Sequence, residues 1–380
     1  MDFSLTKEQE LLRDGLTRFL STRYDLEKSR SAAKTGAGWQ PDIWRGFADE
    51  LGILGATLPE EAGGMGGGPV EAMVIAETLG HALVVEPFVD TVVVAGGLLH
   101  RAGGAAAATV LEKITEGTAL AALAATETDA GDSWRHVSTT AERDGDGWVL
   151  RGEKIVVASA PLAGYLVVSA RTSGDRADAE GISLFLVDAG SEATELVIHP
   201  YRTVDDRRAA DITFDGLRVP GDALLGAEGQ AWPSLARARD EGAAAVCAEA
   251  VGAMRRVLTD TVEYCKQRHQ FGTPIGSFQA LQHRMVDMHM ELEQSVAATY
   301  LAVLHLDDGD DERARAVSAA KATIGRAARF IGQNAVQLHG GMGMTEELAI
   351  GHYFKRLTAL QYEFGATDHH VARYARLTRP

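Results

Sequence analysis

The chain has 380 residues, 46% of them hydrophobic, and 37 Lys and Arg against 53 Asp and Glu give a formal net charge of -16. That length points to two or three subdomains with ample apolar content to fill them. The acidity argues against nucleic acid as a partner, since the global field repels a polyanion. The apolar stretches Ala82 to Val85 and Thr91 to Leu99 are too short to span a bilayer, and Glu86 and Asp90 interrupt them. No basic region precedes an apolar one at the N-terminus, so secretion is not expected. Cys247 and Cys265 have neither metal-ligand spacing nor a disulfide framework, which leads us to expect reduced core thiols, no metal and a cytoplasmic location.

Residues 1 to about 118 read as helical from the 3.6-residue spacing of Leu11, Leu12, Leu16, Phe19 and Leu20, with Thr6 and Gln9 placed as a capping box. From 119 to 225 the texture changes to short β-type runs such as Trp148 to Leu150, Ile155 to Val157, Tyr165 to Val168, Ile182 to Val187 and Asp211 to Phe214. The turn signal Asp144-Gly-Asp-Gly147 separates two of them, and the spacing predicts a small antiparallel barrel or sandwich. From 226 to 380 the chain is helical again, with Pro233 suited to a first helical position and an Ala-rich run to about Lys266. Further helices are expected over Phe278 to Leu306, Glu312 to Leu338, Glu346 to Leu360 and Asp368 to Leu377, the acidic turn Asp307 to Asp311 separating two of them. The expected fold class is therefore α+β, with an N-terminal helical domain, a middle antiparallel β-barrel or sandwich and a C-terminal helical bundle.

Two segments interrupt the C-terminal helices. Gln337-Leu-His-Gly-Gly-Met-Gly-Met-Thr-Glu-Glu347 carries three glycines in four residues, where backbone can adopt unusual angles and a ligand can approach the main chain. The plainer account is a tight helix–helix turn. Arg268-His-Gln-Phe-Gly-Thr-Pro-Ile-Gly-Ser-Phe-Gln279 also closes a long helix. Together these two segments resemble the C-terminal signatures of the acyl-CoA dehydrogenase family, FAD enzymes that desaturate acyl thioesters. The resemblance extends over the chain: Asp2 to Gln9, the loop Leu51 to Gly66, Ala125-Thr-Glu-Thr-Asp-Ala-Gly-Asp-Ser133 and Gly147 to Lys154 are similar to successive family motifs in the same order.

The resemblance implies FAD as cofactor and an acyl-CoA substrate, with electrons leaving to an electron-transfer flavoprotein, in lipid metabolism. Desaturation needs a base for the α-proton and a hydride acceptor at the β-carbon, and no side chain accepts hydride. No Gly-x-Gly-x-x-Gly lies between a strand and a helix, so a nicotinamide fold is not supported. By resemblance Arg268 reaches the FAD pyrophosphate of a neighbouring subunit in a homo- or hetero-tetramer, its fork suited to that anion. Its plainer role is a cation at a helix C-terminus. Gln270, Phe271, Gln279, Gln337, Gly340, Gly341, Thr126, Ser133, Ser159 and Thr367 complete the cofactor set that the resemblance implies. Lys154-Ile-Val-Val-Ala-Ser159 departs from the family's frequent Lys-Thr-Trp-Ile-Thr-Asn, so Val156 stands where a tryptophan often covers the flavin.

The base stays open at this level. Many members carry it in a late Tyr-Glu-Gly-Thr segment, and this chain has Tyr362-Glu-Phe-Gly-Ala-Thr367. Matching Tyr-Glu selects Glu363; anchoring on the glycine selects Phe364 and leaves no base. Other members place the glutamate on the first helix of the C-terminal bundle, which here reaches Gly242, next to Glu241. A carboxylate there, followed by the apolar run to Ala248, would be desolvated towards a useful pKa, although a lone helical Glu is ordinarily a solvated one. Three functions are carried forward: an FAD-dependent acyl-CoA dehydrogenase, a non-catalytic or FAD-completing subunit of a heterotetrameric one, and an oxidase or monooxygenase of the same fold. The ending Phe364-Gly-x-x-Asp-His-His370 and Val156 resemble the smaller subunits of heteromeric enzymes acting on dicarboxylyl or steroid side-chain thioesters.

Overall fold

The computed structural model describes residues 4–190 and 193–379; Asp2 and Phe3 of the opening motif lie outside them. The first helix, α1 (Lys7–Arg23), starts at the expected capping box: Thr6 Oγ1 accepts from Gln9 N at 3.3 Å, and Gln9 Oε1 accepts from Thr6 N at 2.9 Å. Next come α2 (Leu26–Thr35), α3 (Pro41–Asp49) and α4 (Pro69–His81), the last two starting on a proline that needs no N–H there. The apolar run from Val89 to Gly96 is a π-helix that continues into α5 (Gly97–Ala102), and α6 (Ala105–Thr115) follows. The strands are β1 (Ala121–Ala124), β2 (Thr140–Asp144), β3 (Gly147–Ala158), β4 (Tyr165–Arg171), β5 (Ile182–Asp188), β6 (Leu196–Arg202), β7 (Arg208–Val219) and β8 (Leu224–Leu225). Beyond them lie α7 (Trp232–Gln267), the short strands β9 (His269–Gln270) and β10 (Thr273–Pro274), then α8 (Gln279–Leu304), α9 (Asp310–His339), α10 (Ile350–Leu360) and α11 (Thr367–Thr378). Asp310 and Asp311, expected in a turn, belong to the first turn of α9, where acidic groups face the positive helix end.

The described chain clusters into two units. One holds residues up to Leu26, Pro69–Val84 and residues from Ala243 onward; the other holds Glu27–Gly68 and Val85–Gly242. The boundaries 1–118, 119–225 and 226–380 follow the changes of secondary structure, whereas these units share out the N-terminal helices, α1 and α4 going to the first.

In the second unit eight strands form one sheet with the path β6-β7-β3-β2-β4-β5-β8, and β1 pairs with β4 off that path. Most neighbours are antiparallel, as expected. The differences are β1 and β2, which both run parallel to β4: β1 from Ala121 opposite Tyr165 to Ala124 opposite Val168, and β2 with Thr140 opposite Arg171. Trp148, Leu150, Leu166, Val168, Phe185, Ile212 and Phe214 form the core, with Trp148 edge-on to Phe185 at 5.2 Å.

In the first unit α9 packs against α8, α10 and α11, and its small residues Ala316, Ala320, Ala327, Ala328 and Ala335 are buried. Helices α4 and α7 approach so closely that a Cβ on Gly80 would sit 2.0 Å from the Glu249 carbonyl oxygen, and one on Gly252 would sit 1.8 Å from that of Glu77. Only glycine permits that crossing.

Candidate functional site

Helix α7 ends where Arg268 N donates to the Tyr264 carbonyl at 2.8 Å. The chain then turns through Phe271 and Gly272, both at positive φ (56° and 79°), the conformation a two-residue hairpin loop demands. Asn or Gly would normally sit there, so Phe271 is held against its preference, 91% exposed, with its ring 6.2 Å from Phe278. Arg268 is exposed, and among the described residues its guanidinium has no hydrogen-bond or ion-pair partner. Gln270 and Gln279 are exposed too. Gln279 begins α8, whose N-cap Phe278 offers no side-chain acceptor, leaving first-turn N–H groups open.

Helix α9 ends at His339, and Gly340 turns the chain at φ 58°. A Cβ at Gly340 or Gly341 would meet nothing within 4 Å. Gln337 is exposed one turn earlier, without a side-chain partner among the described residues. Tyr264 joins the two helix ends: its ring stacks on His339 with centroids 4.3 Å apart, and its hydroxyl donates to the His339 carbonyl at 3.3 Å. An unpaired guanidinium, a free amide, an open helix N-terminus and bare glycine backbone suit the diphosphate of a dinucleotide. The FAD that the sequence resemblance implies therefore fits these residues.

In the other unit Thr126 lies on the loop after β1 and accepts from Ile155 N at 2.9 Å through its carbonyl. Ser133 is half-buried at the end of that loop. Ser159 is buried, has φ 60°, and its hydroxyl donates to Asp90 Oδ2 at 2.5 Å. A buried ion pair, which the sequence reading missed, anchors this region. Lys154 is fully buried and donates to Glu127 Oε1 at 2.7 Å and Ser169 Oγ at 3.0 Å, while the N–H groups of Ser138 and Thr139 donate to the same carboxylate. Burial pushes the Lys154 ammonium down to about 8, with the Glu127 charge opposing. Burial also works to raise Glu127, but Lys154 and the two N–H groups outweigh it and hold the carboxyl below its usual range. A lysine inside an apolar strand run was the available signal.

Both candidate bases are ion-paired. Glu241 accepts two bonds from Arg101 Nη1, at 3.0 and 2.9 Å, and a third from Arg237 Nε at 2.8 Å; its side chain is 15% exposed. Glu363 is bound by Arg356 through Nη1 at 2.5 Å and Nη2 at 3.1 Å. Arg356 is buried and also grips Glu249 at 2.7 and 2.8 Å, so one guanidinium serves two carboxylates. The two candidates belong to different units.

One face of α9 shapes the late segment. Lys321 is buried and donates to the carbonyls of Leu360, Gln361 and Gly365 at 2.9 to 3.1 Å. His370 bridges Ser318 Oγ and the Phe364 carbonyl, and Thr367 lies so close to α9 that a Cβ on Gly325 would be 2.4 Å from its hydroxyl. Phe364 is another non-glycine residue at positive φ, 58°.

A cavity of about 710 Å³ in the first unit is lined by Arg13, Tyr24, His81, Arg255, Tyr300 and Tyr353 among others, and by none of the candidate catalytic or cofactor residues. Among the described residues no acidic, His or Cys cluster could hold a metal, both cysteines are buried free thiols, and no helix is long and apolar enough to cross a membrane.

Three family profiles match: the acyl-CoA dehydrogenase N-terminal domain over residues 6–118, the middle domain over 122–217 and the C-terminal domain over 230–377. The chain is 30% identical to acyl-CoA dehydrogenase FadE12 of Mycobacterium tuberculosis over 359 residues, which is 92% of this chain and 90% of that one. Among solved structures, an FAD complex of PigA matches with TM-score 0.90 and 26% identity over 99% of this chain and 98% of that one. A Tcur3481-Tcur3483 steroid ACAD variant matches with TM-score 0.87 and 28% identity, covering 98% and 97%.

Proposed function

The chain belongs to the acyl-CoA dehydrogenase family, and on that footing we propose that it is an FAD-dependent oxidoreductase that desaturates an acyl-CoA thioester between its α and β carbons. FAD, when bound, supplies the hydride acceptor that no side chain can provide. Arg268 holds the diphosphate of a neighbouring subunit's FAD with its planar fork, and Gln337 with the main chain at Gly340 and Gly341 binds beside it. Gln270, Phe271, Gln279 and Thr367 border the dinucleotide, and Thr126, Ser133 and Ser159 serve the ring. Glu241 takes the α-proton, for which it must give up at least one of its bonds to Arg101 and Arg237. The electrons pass to an electron-transfer flavoprotein. One observation carries the reading: the Tyr264–His339 contact sets an unpartnered Arg268 and a bare glycine turn at neighbouring helix ends. The FAD complex of the similar PigA supports the cofactor.

A second reading has its own observation. Both candidate bases are held by guanidinium groups, while the side chains of Arg268 and Gln337 have no partner among the described residues. That pattern suits a subunit that completes a partner's FAD site in a heteromeric enzyme, and the similar steroid ACAD carries the paired name Tcur3481-Tcur3483. Anaerobic addition of acyl-CoA thioesters to the purified chain, alone and with co-expressed partner candidates, separates the readings. Yellow protein that bleaches alone supports the first. Protein that gains flavin and bleaches only with a partner supports the second, and flavin in neither preparation rejects both.

A further inference from the structure

Strand β3 is irregular where it meets β7. Lys154 lies opposite Ile212 and Val157 opposite Ala210, so Ile155 and Val156 together face the single residue Asp211. Such a two-against-one bulge re-aims the strand. Here Ile155 N leaves the ladder to bond the Thr126 carbonyl at 2.9 Å, tying β3 to the loop that holds Thr126 and Ser133.

Val156 has φ 51° and is 54% exposed. A β-branched residue there is a genuine outlier, and such strain persists only where surrounding groups enforce it. The enforcing group is Asp211. Its Oδ1 accepts the Val156 N–H at 2.9 Å and the Tyr201 hydroxyl at 2.9 Å. Burial and the bond to Asp211 push the Tyr201 hydroxyl up to about 12, so it remains a donor at neutral pH.

We propose that Asp211 is a positioning residue: with Tyr201 it holds the Val156 bulge, and thereby sets the backbone edge that the flavin ring lies against. This rests on the FAD reading above. Neither Asp211 nor Tyr201 touches the reacting atoms.

The test compares Asp211→Ala, Asp211→Asn, Val156→Gly and the double variant Asp211→Ala/Val156→Gly, reconstituted with FAD. Two readouts are used: the bound flavin's spectrum with its dissociation constant, and amide hydrogen exchange at Val156, which needs no flavin. Asp211→Ala is expected to speed exchange at Val156, alter the flavin spectrum and weaken FAD by about tenfold, the loss of one charged acceptor. Asp211→Asn keeps an acceptor oxygen and is expected to resemble the parent protein. Glycine takes positive φ without strain, so the double variant is expected to recover most of the affinity. Unchanged exchange and spectrum in Asp211→Ala, or a loss that Val156→Gly does not repair, would overturn the proposal. A parent protein that takes up no FAD either alone or with a co-expressed partner would reject the cofactor reading instead, while the exchange data would still decide whether Asp211 holds the bulge.

Discussion

Tyr264 and His339 meet twice, by ring stacking at 4.3 Å and by a hydroxyl-to-carbonyl bond at 3.3 Å. They lie 75 residues apart in sequence, yet each sits within four residues of a segment resembling a family FAD motif. This pair ties the end of α7, which precedes Arg268, to the end of α9, which precedes the Gly340 turn.

Replacing the cation at the end of α7 tests the anion site. Arg268→Ala is expected to raise the FAD dissociation constant by about 10- to 100-fold, the range for a hydrogen bond to a charged group. Arg268→Lys should restore only part, because a point charge cannot reproduce the fork. A flavin-fluorescence titration reads both, and equal affinities across the three proteins would remove Arg268 from the site.

The two candidate bases predict opposite kinetics. Glu241→Gln is expected to slow anaerobic flavin reduction by about 10²- to 10⁴-fold while FAD is retained. Glu363→Gln should leave the reduction rate near that of the parent, since Arg356 holds that carboxylate beside Glu249. The reverse result in stopped-flow traces would transfer the role to the late segment. Arg356→Met should cost about 3–5 kcal/mol in denaturant unfolding, because it takes the guanidinium away from the buried Glu249.

The α4–α7 crossing should not tolerate a methyl group. Gly252→Ala places a Cβ 1.8 Å from a backbone oxygen, an obstacle that cannot rotate away. A loss of at least about 1–3 kcal/mol is expected from overpacking. An unchanged urea midpoint would show that the helices separate without penalty.

Glu86 should make stability depend on pH. It is fully buried, and burial pushes its carboxyl from 4.5 up to about 7, against the opposing bond from Gln40 N. The folded form keeps a proton that the unfolded form has released, so the contribution is complete below pH 4.5 and is lost as pH rises through about 7. The difference of 2.5 units (7 − 4.5) corresponds to about 3 kcal/mol. Glu86→Gln should flatten this slope in unfolding curves taken from pH 4.5 to 8. A parallel pair of curves would contradict it.

Much of the architecture was legible because it is locally encoded. Thr6 and Gln9 are three residues apart and close their own capping box. The expected helix over Phe278 to Leu306 is observed as Gln279–Leu304, since helical periodicity is a property of neighbours in the chain. The π-helix at Val89–Gly96 is not legible in the sequence because its apolar run has no period that distinguishes it from an α-helix. Four residues in segments marked by motif, Val156, Ser159, Phe271 and Phe364, adopt positive φ despite carrying side chains. Their composition gives no sign of that, because strain is imposed by the surroundings.

The order of helices, strands and helices, the glycine turns and the family motifs were all present in the amino-acid sequence, because they depend on periodicity, turn chemistry and residue spacing. Tertiary structure alone decided which partners the charged groups would have. Glu241 meets Arg101 across 140 residues, Glu249 meets Arg356 across 107, and Lys154 meets Glu127 across 27. Those pairings arise when packing withdraws the groups from water, where a charge left without its counter-ion is costly. No local pattern in the chain records which opposite charge will be brought within reach.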